Sequence, residues 1–224
     1  ESEARYASMI EGMDKSLDDI LNYVDEKGIA DNTIIIFMSD NGGLSAQARA
    51  GKPHTHNAPL NSGKGSAYEG GIREPMLVRW PGVTKAGSSC NQYIIIEDFF
   101  PTILSLANVK AEKKVQHVDG ISFTGFLKNP QTKRSSRNLY WHFPNNWGPA
   151  GPGIGATSTI RSGDWKLIYY YKDARSELFN IKDDIGEKNN LAQQYPAKVK
   201  ILADQSRGYL KEAKAQRPVY QSTG

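Results

Sequence analysis

A run of apolar residues, Ile34-Ile35-Ile36-Phe37-Met38, follows closely on a long amphipathic segment, and that pairing restricts the fold more than any other feature of the chain. With no polar residue on either face, such a run suits the centre of a parallel sheet covered on both sides by helices. Upstream, Tyr6, Met9, Ile10, Met13, Leu17, Ile20, Leu21 and Val24 recur at three- and four-residue steps. The spacing predicts a helix over residues 4–27, with Gly28 as its C-terminal stop. Helix, short loop and buried strand are the alternation of an α/β domain.

The strand ends in Ser39-Asp40-Asn41-Gly42-Gly43, and a polar stretch rich in Gly, Asn, Ser and His then runs to about Arg73. A structureless loop of that length inside a compact domain is usually functional. Pro75 to Trp80 reads as a strand turned by Pro81-Gly82, and Tyr93 to Ile96 as another. Asp98 is placed to cap a following helix with Pro101 in its first turn. From Asn138 the pattern changes. Leu139–Phe143, Ser158–Arg161, Trp165–Tyr171 and Glu177–Ile181 read as short strands, with a hairpin turn at Ser162-Gly163-Asp164. A last helix spans roughly 196–215, with Val199, Leu202, Ala203 and Leu210 on one side. The expected organisation is an α/β domain over 1–137 and a small α+β subdomain over 138–224, with an antiparallel sheet and a C-terminal helix.

Composition narrows the function classes. The net charge of +4 comes from dispersed lysines with acids between them, so no basic stripe for nucleic acid is present. No apolar run approaches the roughly 20 residues of a membrane span. The first residues are not those of a signal peptide, so an exported protein would carry its signal upstream. The single cysteine, Cys90, lies in a polar Ser-Ser-Cys-Asn-Gln loop without activating neighbours and reads as an incidental or structural thiol.

Open α/β sheets bind ligands at the carboxyl ends of their strands, where Asp40 and Asn41 fall. Their oxygens suit a hard cation such as calcium or magnesium, and the glycines after them allow close backbone approach. The same four residues also make a good Asx turn. Further on, Lys64 stands between Gly63 and Gly65 as an unhindered point charge for an anionic oxygen, and Arg73 follows a glycine pair. Glu69 and Arg73 are expected to brace this loop. His54 and His56 form a His-x-His pair open to three readings: substrate contact, zinc ligation, or plain loop residues. His142 either lines a pocket or packs in a strand. Trp147 is a candidate for stacking on a sugar, and His117 is a surface residue.

Taken together, these segments resemble the sulfatase family of the alkaline-phosphatase superfamily. The matching stretches are Ser39-Asp-Asn-Gly-Gly43, Gly63-Lys-Gly-Ser-Ala-Tyr-Glu-Gly-Gly-Ile-Arg-Glu-Pro75 and Glu97-Asp-Phe-Phe-Pro-Thr-Ile-Leu104. Val118-Asp-Gly-Ile-Ser-Phe123, Arg161-Ser-Gly-Asp-Trp-Lys-Leu-Ile168, Glu177-Leu-Phe-Asn-Ile181 and Glu187-Lys-Asn-Asn-Leu191 continue the series in family order. The resemblance implies the C-terminal part of an alkaline-phosphatase-like α/β sandwich, with Asp40 and Asn41 as calcium ligands and Lys64 on the sulfate. The family nucleophile is a formylglycine made within a Cys/Ser-x-Pro-x-Arg motif, which lies N-terminal to these segments. Cys90 is followed by Asn91, Gln92 and Tyr93 and does not match that motif.

By the resemblance, the hydrated aldehyde attacks sulfur, the ester alcohol leaves, and the sulfated hemiacetal collapses to release sulfate. Calcium and Lys64 offset charge on the sulfate oxygens. The expected substrate is a sulfated carbohydrate or aryl sulfate, and the expected location periplasmic or extracellular. This chain alone is expected to be inactive and to need an N-terminal half as partner; without that half it is expected to dimerise, to swap elements, or to stay soluble only when the half is bound. Two other classes compete. A phosphatase or phosphodiesterase of the same superfamily typically has His where Asn41 stands, and a non-catalytic carbohydrate-binding module would keep the loops without the nucleophile.

Overall fold

The computed structural model describes residues 2–44, 57–109, 117–145 and 151–219. In chain order the elements are α1 (Ser2–Glu26), β1 (Ile35–Met38), α2 (Glu69–Ile72), β2 (Met76–Arg79), α3 (Phe99–Leu106), α4 (Thr124–Lys128), β3 (Asn138–Phe143), β4 (Thr157–Ser162), β5 (Trp165–Tyr170), β6 (Ser176–Asn180) and α5 (Pro196–Glu212). They fall into two compact units, one from 1–37 with 76–133 and the other from 38–75 with 134–224.

In the first unit, α1 ends where Gly28 adopts φ +66°, a left-handed conformation that glycine takes without steric cost. Of its apolar stripe only Val24 is buried, while Met9 and Ile20 are more than half exposed. β1 pairs with β2, and all four of its residues are half-buried rather than enclosed. The expected central position thus appears as a two-stranded sheet among the described residues. An apolar groove in this unit is lined by Leu17, Leu21, Ile35, Phe37, Met76 and Leu127.

Tyr93–Ile96 does not form a strand; Ile96–Asp98 is a 3-10 turn leading into α3. Asp98 does not cap α3 with its side chain, because its carboxylate is already engaged. It accepts the Ile95 N–H at 3.2 Å and the Ile121 N–H at 2.8 Å. Thr102 Oγ1 donates to the Asp98 carbonyl at 2.6 Å and accepts from the Phe123 N–H at 3.0 Å. A Cβ on Gly120 would lie 1.8 Å from the Glu97 carbonyl oxygen, so only glycine fits there. The Glu97–Leu104 and Val118–Phe123 motifs therefore clasp each other, which is a structural role.

The second unit is built on the antiparallel sheet β3-β4-β5-β6. Ser162 pairs with Trp165, so Gly163 (φ +58°) and Asp164 make the two-residue turn that the sequence predicts. Alternation along the strands assigns the two faces. Ile160, Leu167 and Leu178 pack with Leu202 of α5. On the opposite face Ile168, Tyr170 and Phe179 pack with Ala67 and Tyr68 from the segment entering α2. Both faces are covered, and Ile160, Ile168 and Leu178 are completely buried. The C-terminal helix stops at Glu212, a turn short of the expected end.

Candidate functional site

The site is assembled from two glycine-rich loops whose backbones interlock. The Gly42 N–H donates to the Gly71 carbonyl at 3.3 Å, and the Lys64 N–H donates to the Gly43 carbonyl at 3.1 Å. Asn57 ties both loops, its Nδ2 donating to the Gly43 carbonyl at 2.8 Å and the Ser62 carbonyl at 2.9 Å. A Cβ on Gly42 would lie 1.7 Å from the Gly70 carbonyl oxygen, and one on Gly70 2.2 Å from the Asn61 carbonyl oxygen. The glycine pairs at 42–43 and 70–71 are needed for this approach. They bring the backbone of Lys64 against Gly43, in the turn that follows Asp40 and Asn41 and more than twenty residues earlier in sequence.

At that strand end Asp40 is exposed, and Asn41 is half-buried with its Nδ2 donating to the Gly42 carbonyl at 3.2 Å. Ser39 Oγ donates to the Asn41 carbonyl at 2.8 Å. The Asn41 amide nitrogen is thus engaged locally, on the carbonyl of the next residue. Glu74, which the sequence did not single out, lies within electrostatic reach of Asp40. Its Oε1 is buried without a hydrogen-bond partner. Burial, and then the charge of Asp40, push its carboxyl up to about 7. Carboxylate and amide oxygens are the donor types that suit a hard cation. Lys64 is exposed in its loop.

Behind α2 lies a buried ionic cluster. Glu69, its first residue, is 2% exposed. Lys166 Nζ of β5 lies 3.0 Å from Glu69 Oε1, and Arg161 Nη1 of β4 3.3 Å from Glu69 Oε2. Arg73 Nη1 approaches the same Oε2 at 3.4 Å, the brace expected from the sequence. Lys166 also forms an ion pair with Glu187, its Nζ 2.8 Å from Oε1. Glu187 Oε2 accepts the Glu69 backbone N–H at 2.6 Å. Burial alone would raise the Glu69 carboxyl, but Lys166, Arg161 and Arg73 more than offset it and hold it below the usual range. For Glu187 burial prevails and its carboxyl is raised. Beside the cluster, Tyr68 and Tyr170 donate to Glu177 Oε2 at 2.7 and 2.8 Å. Burial, with this carboxylate close by, pushes both phenols well above their ordinary value.

His54, His56 and Trp147 lie outside the described residues. His142 has both ring nitrogens engaged, Nδ1 at 2.7 Å from Ser158 Oγ and Nε2 at 2.6 Å from the Gln216 carbonyl, as a packed strand residue would. His117 is a surface residue beside Asp119, and Cys90 is exposed. Lys166 and Glu187 were legible in sequence only as motif members; what marks Lys166 is a lysine on the buried face of a strand between apolar residues.

Two family models match the chain: Sulfatase over residues 1–109, and N-sulphoglucosamine sulphohydrolase, C-terminal, over 63–216. The chain belongs to the sulfatase family. A sulfatase of Formosa agariphila is 34% identical over 209 residues, spanning 88% of this chain and 36% of that protein. The N-acetylglucosamine-6-O-sulfatase of Bacteroides thetaiotaomicron is 31% identical over 202 residues, spanning 88% of this chain and 33% of its own length. Among solved structures, Ps i-CgsB in complex with k-i-k-neocarrahexaose superposes with TM-score 0.72 at 28% identity, covering 97% of this chain and 45% of that one. BT4656 in complex with its substrate D-glucosamine-2-N,6-O-disulfate gives TM-score 0.69 at 29% identity, covering 93% and 40%. This sulfatase chain therefore has the alkaline-phosphatase-like fold and spans less than half the length of these relatives. The family is in general metal-dependent. No described helix is long and apolar enough to cross a membrane.

Proposed function

We propose that this chain supplies the C-terminal part of a sulfuric ester hydrolase acting on sulfated carbohydrates, with calcium at Asp40 and Asn41 and the sulfate group on Lys64. The observation that carries the reading is the interlock of the 42–43 and 70–71 glycine pairs, which draws the Lys64 loop onto the turn that carries Asp40 and Asn41. The unpartnered Glu74 oxygen and the Asp40 carboxylate supply the negative charge that a divalent cation would neutralise. Oxygen donors at this strand end favour calcium or magnesium over zinc.

When bound, the cation polarises the sulfate oxygens. The chain's own contribution is positional and electrostatic. Lys64 Nζ lies at the end of a flexible stem and can follow a sulfate oxygen as charge builds on it, while the rigid glycine interlock fixes the stem's origin. A protonated ammonium there also holds a proton within reach of the departing alkoxide oxygen. His54 and His56, which precede Lys64 in sequence, are proposed as substrate contacts.

Support for a carbohydrate ester comes from relatives named for N-acetylglucosamine-6-O-sulfate and D-glucosamine-2-N,6-O-disulfate. A periplasmic or extracellular location belongs to the same proposal. Asn41, where the two-metal phosphatases carry His, favours a sulfatase over a phosphatase of the superfamily. The test is sulfate release from glucosamine sulfates and sulfated galactans by the protein expressed from its full coding sequence. Release should stop on chelation and return with calcium but not with zinc. Hydrolysis of phosphate esters alone would select the phosphatase reading, and binding without turnover the carbohydrate-binding one.

A further inference from the structure

The sheet face that carries the buried cluster contains an arrangement that packing alone does not explain. Arg161 and Lys166 are direct partners across β4 and β5, and both point away from α5 into the interior, 5% and 0% exposed. Two like charges facing each other across a ladder destabilise it, and burying them adds desolvation. The pair is tolerated because Glu69 lies between them, one oxygen toward each cation. Glu69 belongs to the site, not to the sheet. It opens the single turn whose next residues, Gly70 and Gly71, hold the Asn61 carbonyl and the Gly42 N–H. Glu187 completes the clamp from a third segment, accepting the Glu69 N–H at 2.6 Å while its other oxygen faces Lys166. Glu187 holds φ +50°, a left-handed conformation that a glutamate adopts only where its surroundings impose it.

We infer that Lys166 and Glu187 are positioning residues of the site: acting through Glu69, they set the height of the Gly70-Gly71 turn and with it the placement of Lys64 against the turn at 40–43. The inference rests on the proposed role of Lys64 for its catalytic consequence, but not for its structural one. The path is continuous. Glu187 and Lys166 fix Glu69, Glu69 fixes Gly70 and Gly71, and these fix Asn61 and Gly42 by direct backbone hydrogen bonds. Neither Lys166 nor Glu187 contacts Lys64. Substrate-facing groups misplaced by about 1 Å lose on the order of 100-fold in rate, so a clamp of this kind controls turnover without touching substrate.

The test compares Glu187→Gln with Glu187→Ala in the protein expressed from its full coding sequence. Gln retains an oxygen for the Glu69 N–H; Ala retains none. Amide hydrogen exchange is read at Gly42, Lys64, Gly70 and Gly71, and at Ile160 and Leu167 in the sheet. In Glu187→Ala the site amides should exchange at least tenfold faster while the sheet amides keep their protection. Glu187→Gln should restore most of the difference. In the sulfate-release assay Glu187→Ala should lower kcat by about 10- to 100-fold with KM within about threefold, and Glu187→Gln should recover most of that loss. Uniform loss of protection across site and sheet, or unchanged site amides, overturns the inference. A parent protein that releases no sulfate refutes the proposed function, and the exchange pattern then decides the clamp by itself.

Discussion

Replacement of Lys166 by Met should be among the most damaging single changes in the second unit, and its pH dependence carries a sign that the cluster dictates. Met conserves length and most of the volume, so packing loss is small and the effect isolates the ammonium. That ammonium is fully buried, 3.0 Å from Glu69 and 2.8 Å from Glu187. Its removal leaves two buried carboxylates joined through one N–H, with Arg161 and Arg73 the cations left around them. Removing one partner of a buried ionic group costs about 3–5 kcal/mol.

The loss should be largest at pH 8. In the variant the Glu187 carboxyl, already raised, rises further, so a proton taken up on folding offsets part of the cost. A carboxyl raised in the folded state contributes stability that is fully present below its unfolded value of about 4.3 and is lost as pH rises through the folded value. The parent behaves oppositely at Glu69, whose lowered carboxyl contributes stability above the unfolded value that is lost as pH falls through the folded one. The gap between parent and variant should therefore narrow from pH 8 to pH 5. Urea unfolding followed by tryptophan fluorescence at both pH values measures it. A gap below about 1 kcal/mol at pH 8, or one that widens on acidification, would refute the ionic account of this cluster.

Further outcomes follow from the site geometry. Glu74→Gln should raise thermal stability without added cation above pH 7, because the raised Glu74 carboxyl makes the parent lose stability as pH climbs from about 4.3 toward about 7. The same variant should weaken calcium binding in calorimetry; unchanged affinity would remove Glu74 from the cation's surroundings. Gly42→Ala should cost about 1–3 kcal/mol and reduce cation affinity, since its Cβ would overlap the Gly70 carbonyl, whereas Gly12→Ala in α1 meets nothing and should be neutral or mildly stabilising by thermal melt.

Local patterns made much of this legible. The periodicity of α1, the short strands from Asn138 and the Gly163 turn all appear close to their expected places, because each depends on residues near in sequence. Tyr93–Ile96 has strand composition but forms none. Asp98 has capping composition, yet its carboxylate takes the Ile95 and Ile121 N–H groups, and the second of these lies 23 residues away. In the site, Asp40, Asn41 and Lys64 were visible as polar residues among glycines. The interlock that joins them was not, since it depends on backbone hydrogen bonds between loops. Lys166 and Glu187 were hidden for a different reason. Their partner Glu69 lies about 100 residues away, and only the strand alternation that turns Lys166 inward hints that a buried charge awaits an acid.

The most direct measurement is turnover of a sulfated glucosamine by the protein expressed from its full coding sequence, beside its Lys64→Ala variant, in calcium. Loss of one charge-assisted contact to a developing anion costs about 2.7–4 kcal/mol, or roughly 100- to 1,000-fold in kcat. Lys64 is exposed in a loop and contributes little packing, so the thermal midpoint should not move. Sulfate release by the parent, reduced at least 100-fold in a variant of unchanged stability, is the predicted result. Equal release by both proteins would show that Lys64 is a solvated loop lysine and that the sulfate lies elsewhere.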